Sequence, residues 1–123
     1  MSHAIDKVVL AEKLAAFASF WEPRIVCELN GQHVKLVKLM GEFVWHHHEH
    51  EDELFLVVKG WFDMELRDRT IRVSGGEMIV IPRGVEHRPV APEECHVLLF
   101  EPAGTVNTGD VDGALTRREL ERL

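Results

Sequence analysis

Residues 41–60 read GEFVWHHHEHEDELFLVVKG, and residues 76–87 read GEMIVIPRGVEH. The first stretch sets His46 and His48 two residues apart, with Glu53 five residues further on and Gly60 closing the segment. The second runs from Gly76 through Pro82 and Gly84 to His87. In an extended chain, side chains two apart leave the same face, so His46 and His48 point together from one strand. A turn through Glu49–Asp52 lets Glu53 enter from the next strand. Pro82 and Gly84 then shape a bend that delivers His87 from a third. Three imidazoles and one carboxylate are donors that zinc, iron, manganese, nickel and copper all accept, so the pair of segments predicts a metal before it predicts a reaction. Four protein donors leave about two open positions on an octahedral ion, the arrangement of a reactive site rather than a closed structural one.

A competing reading makes the polar run His46–Glu51 a solvated loop. Energetics bear on the choice. An unpaired buried carboxylate costs several kcal/mol, comparable with the roughly 6–18 kcal/mol of total stability expected at this chain length. Inside an apolar barrel Glu53 must therefore be paired or neutral, and an ion shared with the imidazoles pairs it. His50 offers a second alternative, because His48-x-His50 repeats the two-residue spacing, although only two residues then separate it from Glu53. His47, Glu49, His50, Glu51 and Glu86 read either as a polar rim able to relay protons, with Glu53 and His50 the candidate catalytic groups, or as ordinary solvated side chains.

Outward from these segments, nearly everything between residues 24 and 101 reads as strand. Asn30-Gly31 lies between Arg24–Leu29 and Gln32–Leu39, a hairpin signal because both residues tolerate positive φ. Arg67-Asp68-Arg69, Ser74-Gly75-Gly76, Pro82-Arg83-Gly84 and Pro92-Glu93-Glu94 supply further turns between short apolar segments, the pattern of an antiparallel sandwich or barrel. Leu54–Val58, Met78–Ile81 and Val97–Phe100 are continuously apolar, which implies cover on both faces. An N-terminal helix or a second copy of the chain would supply that cover, hence an expected homodimer. A helical pattern over residues 6–19, with Asp6 as cap and Pro23 as stop, precedes the strands. Thr116-x-x-Glu119 fits a capping box for a short C-terminal helix. Trp45 and Trp61 read as core or as pocket wall.

At 123 residues, 46% apolar and 28% charged, the chain has the size and balance of one globular domain, divided here into a helical segment (1–22), a barrel (24–102) and a tail (103–123). A net charge of −7 argues against nucleic-acid binding, which needs a basic face, and a small-molecule ligand is the expected partner. No apolar stretch approaches membrane-helix length and no leader-like segment opens the chain, so the expected location is cytoplasmic and Cys27 and Cys95 are expected as thiols.

The glycine and histidine pattern, together with Asp52–Gly60, Pro82–Ala91 and Glu101–Gly109, resembles that of the small single-domain bacterial cupins, some loosely labelled mannose-6-phosphate isomerase-like. The resemblance covers most of the chain. It implies an all-β double-stranded β-helix, or jelly roll, that is usually dimeric and holds a metal inside. Matched position by position, it assigns His46, His48, Glu53 and His87 as ligands. Ala91 stands where the second motif often ends in Asn. Gly104–Gly109 resembles a family signature for which the residues themselves suggest only a loop with local backbone hydrogen bonds.

Two function classes follow. One is a metalloenzyme on a small polar or carbonyl substrate, of isomerase, dioxygenase, decarboxylase or lyase type, using one iron, manganese, nickel or zinc ion. The other is a small-ligand binding or sensing module that holds its ligand through the metal without turnover. A sugar-phosphate isomerase fits poorly, since only Lys59, Arg83 and Arg88 lie near the motifs to hold a dianion.

Overall fold

The computed structural model describes residues 5–123. Seven strands carry the chain: β1 (Arg24–Leu29), β2 (Gln32–Glu42), β3 (Glu53–Lys59), β4 (Trp61–Leu66), β5 (Thr70–Ser74), β6 (Met78–Ile81) and β7 (His87–Pro102). One hydrogen-bonded path runs β1-β2-β7-β3-β6, and β4 joins β7 to β5. All of these pairings are antiparallel. Together they form an all-β jelly roll, the antiparallel barrel expected from the turn spacing in the form that the cupin resemblance implies.

The hairpin between β1 and β2 turns on Asn30 and Gly31, both with positive φ (49° and 74°), and pairs Leu29 with Gln32. This is the two-residue connection whose twist suits antiparallel strands. The expected turn at Pro92-Glu93-Glu94 does not break the chain. β7 runs through it for 16 residues and instead changes partners. His87–Val90 pair with β4, whereas His96–Phe100 pair with β3. Between them the register against β2 jumps from Gly41↔Ala91 to Leu39↔Cys95. Pro92 lacks a ladder donor, and the extra residues are absorbed as a bulge that folds one strand around a corner of the barrel.

Alternation along the strands fills the barrel. Val37, Leu39, Phe43, Phe55, Val57, Phe62, Met64, Val97 and Leu99 belong to one buried cluster. The opposite phase of β2, β3 and β7 supplies Leu36, Val58 and Leu98 to a second cluster, closed by Leu14 and Phe17 from the N-terminal segment. The same chain thus covers the outer face of those strands. Met78 and Val80 on β6 keep 60% and 53% of their surface exposed.

Helix α1 is shorter than the expected 6–19 pattern. It spans Leu10–Ala15, with Val9 rather than Asp6 at its N-cap and no side-chain cap bond. Six residues form too short a helix to be stable alone, and its packing through Leu14 decides its length. Beyond it Lys38 Nζ donates to the Phe17 carbonyl (2.6 Å), and Trp21 adopts φ 62° while its Nε1 donates to Met40 O (2.9 Å). The chain is bent so that Trp21 enters the barrel.

The tail forms no second helix. Thr116 Oγ1 lies 2.6 Å from Thr108 Oγ1 and accepts a bond from Gly113 N (3.0 Å), so the capping hydroxyl is used to staple the tail. Ile25 N donates to Glu121 O and Leu123 N to Ile25 O, both at 2.9 Å, which adds Arg122 as a parallel bridge on the free edge of β1. No helix among the described residues is long and apolar enough to cross a membrane. Cys27 and Cys95 are both thiols.

Candidate metal centre

His46 follows β2 in extended chain outside any strand, where the sequence reading put a strand. It is held by a reciprocal pair of backbone bonds with His87 (His46 N to His87 O, 3.1 Å; His87 N to His46 O, 2.9 Å). Gly84 N donates to His48 O (2.8 Å), so the Pro82–Gly84 bend also ties down the second histidine. Glu53 opens β3 and His87 opens β7. One potential ligand atom from each of His46, His48, Glu53 and His87 lies within 4.8 Å of every other. All four are buried, from 0% exposed at His87 to 4% at Glu53.

His48 Nε2 stands 3.3 Å and His87 Nε2 3.6 Å from Glu53 Oε1. None of these three atoms makes a hydrogen bond within the protein. Buried polar atoms are normally satisfied, and several orphaned donors and acceptors facing one point are what a shared cation satisfies at once. The ring orientations agree with this. His46 Nδ1 and His87 Nδ1 bond the Val44 and Val85 carbonyls two residues upstream, each at 2.9 Å, which fixes the tautomer and turns each Nε2 inward. His48 Nδ1 instead faces Glu51 Oε1 at 3.9 Å. The residues fit a divalent transition ion.

Electrostatics point the same way. Burial and the neighbouring His87 and His48 rings push the His46 pKa down to about 4, so its imidazole is neutral and available as a donor at neutral pH. Burial opposes ionisation of Glu53, but the imidazoles of His48 and His87 outweigh it and hold the carboxyl below the usual range. His50 is exposed and outside the convergence, which favours His46 and His48 as the ligand pair.

Two cavities meet the cluster from different sides. The inner one is a chamber walled by Trp21, Val37, Leu39, Phe43, Phe55 and Leu99, with Pro23 and Pro89. Its polar lining is His46, Glu53 and Asn107. Asn107 is spent on the tail, donating to Leu115 O (2.9 Å) and accepting from Arg117 N (2.8 Å). The outer cavity is lined by His48, Glu49, Glu51, Gly104, Val106, Gly109 and Asp110. His47 belongs to this rim, 2.6 Å from Glu49 and 3.3 Å from Asp110.

The Gly104–Gly109 signature has a physical role here. Asp110 N donates to His47 O (3.0 Å) and Asp110 Oδ1 accepts from His47 N (2.8 Å), so this loop clamps the ligand-bearing segment. Trp45 and Trp61 do not line the chamber. Both are half-buried, under Arg67 and Arg72 at 3.8 and 3.9 Å. Sequence reasoning also missed a buried ion pair, Lys35 Nζ to Glu101 Oε2 at 3.3 Å, both residues 2% exposed. Strand phase carried the signal: Lys35 precedes Val37 and Leu39, and Glu101 follows Val97 and Leu99, in the inward phase. Glu101 lies one position beyond the Leu54↔Phe100 pair, opposite Glu53. Burial and the Glu53 charge raise its pKa well above the ordinary value, with Lys35 opposing them.

Comparison with known proteins identifies the family. The structure is similar to a cupin-2 domain containing protein from Shewanella frigidimarina, with 45% identity, TM-score 0.76, and 77% of this chain and 93% of that one covered. It is similar also to protein NMB1881 from Neisseria meningitidis, with 32% identity, TM-score 0.74, and 80% and 100% covered. An uncharacterized Bacillus subtilis protein, YdbB, is 36% identical over 64 residues, a match that spans 51% of this chain and 57% of that relative. Residues 32–101 match the model of the cupin domain. Those residues hold all four convergent side chains and five of the six apolar chamber walls, and on that ground the chain belongs to the cupin family.

Proposed function

We propose that this cupin binds one divalent transition ion through His46, His48, Glu53 and His87 and acts as a metalloenzyme on a small oxygen-donor substrate. The observation that carries the reading is the convergence of buried, hydrogen-bond-orphaned donor atoms on one point at the wall of an apolar pocket. When bound, such an ion supplies polarisation of a substrate oxygen or activation of dioxygen. The chain's own residues exclude water and orient the substrate. Phe43 stacks on Trp21 (4.7 Å between centroids) and meets the His46 ring edge-on at 5.3 Å, so the donors have a dry, rigid wall. Glu53 also lines the chamber, so its carboxylate faces a bound substrate as well as the ion.

Elemental analysis of the purified protein tests the first half of the reading: about one transition ion per chain is expected, lost on chelation and in His87→Ala. Absence of a stoichiometric ion, with no rebinding, refutes it. Turnover of diketones, hydroxy acids or sugar phosphates by the loaded protein under air tests the second half. Full metal occupancy with tight ligand binding and no turnover identifies the alternative, a binding or sensing module.

A further inference from the structure

We infer that the inner chamber takes a chelating monoanion with a short hydrocarbon body, of the type of a 2-oxo or 2-hydroxy monocarboxylate, and excludes sugars and phosphate esters. The inference rests on the metal reading above and adds the class of ligand.

The first ground is the lining. Hydrocarbon from Trp21, Leu39, Phe43 and Leu99 faces the chamber, and Asn107 has both amide ends bonded to the tail. A sugar brought inside would leave its hydroxyls without partners, each a buried unsatisfied group. A hydrocarbon chain loses nothing there and gains burial.

The second is charge. Three neutral imidazoles and one carboxylate leave a divalent ion with one net positive charge. A monoanion cancels it, while a phosphate dianion leaves an excess negative charge in an apolar enclosure, which is costly unless a cation compensates. No Lys or Arg lines the chamber. Arg83 is paired with Asp52 at 3.2 Å, Arg88 with Glu65 at 2.7 Å, and Lys59 is exposed. The cavity on the other side carries Glu49, Glu51 and Asp110, which repel a dianion more strongly than a monoanion.

The third is size. The free space in the chamber is about 40 Å³, room for about three water-sized groups. The body of the ligand is therefore a few carbons long.

The experiment is calorimetric titration of Co²⁺-loaded protein with straight-chain 2-oxo monocarboxylates of increasing length, beside glyceraldehyde 3-phosphate and mannose 6-phosphate, with cobalt content measured on the same samples. Affinity should rise about fourfold per added methylene until the free space is filled, and then fall. Val37→Ile, which adds a methylene to the wall, should move the optimum to a shorter chain, and Leu99→Val, which removes one, to a longer chain, with cobalt content unchanged in both. Length-independent binding, or tighter binding of either phosphate ester, at full cobalt occupancy overturns the ligand class and leaves the metal centre standing. Failure of cobalt to load at all overturns both.

Discussion

Replacing Gly109 by alanine tests whether the tail loop holds the candidate metal ligands in place. Gly109 has φ 56°, and an added Cβ would lie 2.1 Å from the His47 carbonyl oxygen, 2.9 Å from its carbon and 3.1 Å from His46 Cδ2. A side chain in the left-handed region costs about 1–2 kcal/mol by itself. The overlap with a backbone oxygen needs a displacement of about 1 Å, and forcing extra volume into packed structure costs about 1–3 kcal/mol more. That shift also strains the two bonds between His47 and Asp110, so Gly109→Ala should lose about 2–5 kcal/mol, or about 10–20 °C in midpoint at this chain length. Gly104→Ala is the control. Gly104 has φ 90° in the same loop, but nothing lies within 4 Å of the added carbon, so it incurs the backbone term alone. Because the displaced atoms belong to His46 and His47, Gly109→Ala should also weaken metal binding about 10- to 100-fold, the usual effect of disturbing a ligand's support. Thermal melts and a competitive metal titration on the two variants decide the matter. Equal melting points and equal metal affinities would show that the close approach at Gly109 does no clamping.

Three further outcomes follow from the same structure. The His46 pKa is about 4 in the folded protein against 6.5 for an unperturbed histidine, so the unfolded chain takes up the extra proton first. Metal-free protein should therefore lose stability as pH falls from about 6.5 to about 4, by at most about 3 kcal/mol, and a urea midpoint that stays flat over that range contradicts the burial of a neutral imidazole. Lys35→Met leaves buried Glu101 without its partner and should cost about 3 kcal/mol, with Lys35→Met/Glu101→Leu recovering much of the loss; a double-mutant cycle in urea showing simple additivity refutes the coupling. His50→Ala should keep about one metal ion per chain while His46→Ala should not, and loss of the ion in both would return His50 to the ligand set.

What the chain revealed in advance was whatever is fixed by local chemistry. Asn30-Gly31 dictates its hairpin because few other dipeptides accept two consecutive positive φ values. The convergence of His46, His48, Glu53 and His87 was equally legible, because a two-residue offset, a short turn and a proline-glycine bend each leave the backbone few choices. The rest depended on partners distant in sequence. The pattern over 6–19 is helical only where Leu14 finds Leu36 and Val26, and beyond that the pull of Trp21 into the barrel wins. Pro92 suggested a turn, but flanking ladders to β2, β3 and β4 carry the strand past it. Thr116 looked like a helix cap until Thr108, eight residues upstream, supplied a better partner. Lys35 and Glu101 were readable from strand phase alone, yet charge masked them, since lysine and glutamate are rarely buried unless paired.

The division of labour between parts of the chain bears on how such proteins diverge. The span that matches the cupin domain, residues 32–101, contains every candidate ligand, whereas Trp21 and Pro23 come from before it and Asn107 and the Gly109–Asp110 clamp from after it. The candidate ligands and most of the chamber wall are thereby written in one region, and two flanking arms complete that wall at Trp21 and Pro23 and brace the segment that carries His46 and His48. Exchanging those arms between homologues should reshape the chamber only at Trp21 and Pro23 while leaving the four convergent side chains and the rest of the wall in place.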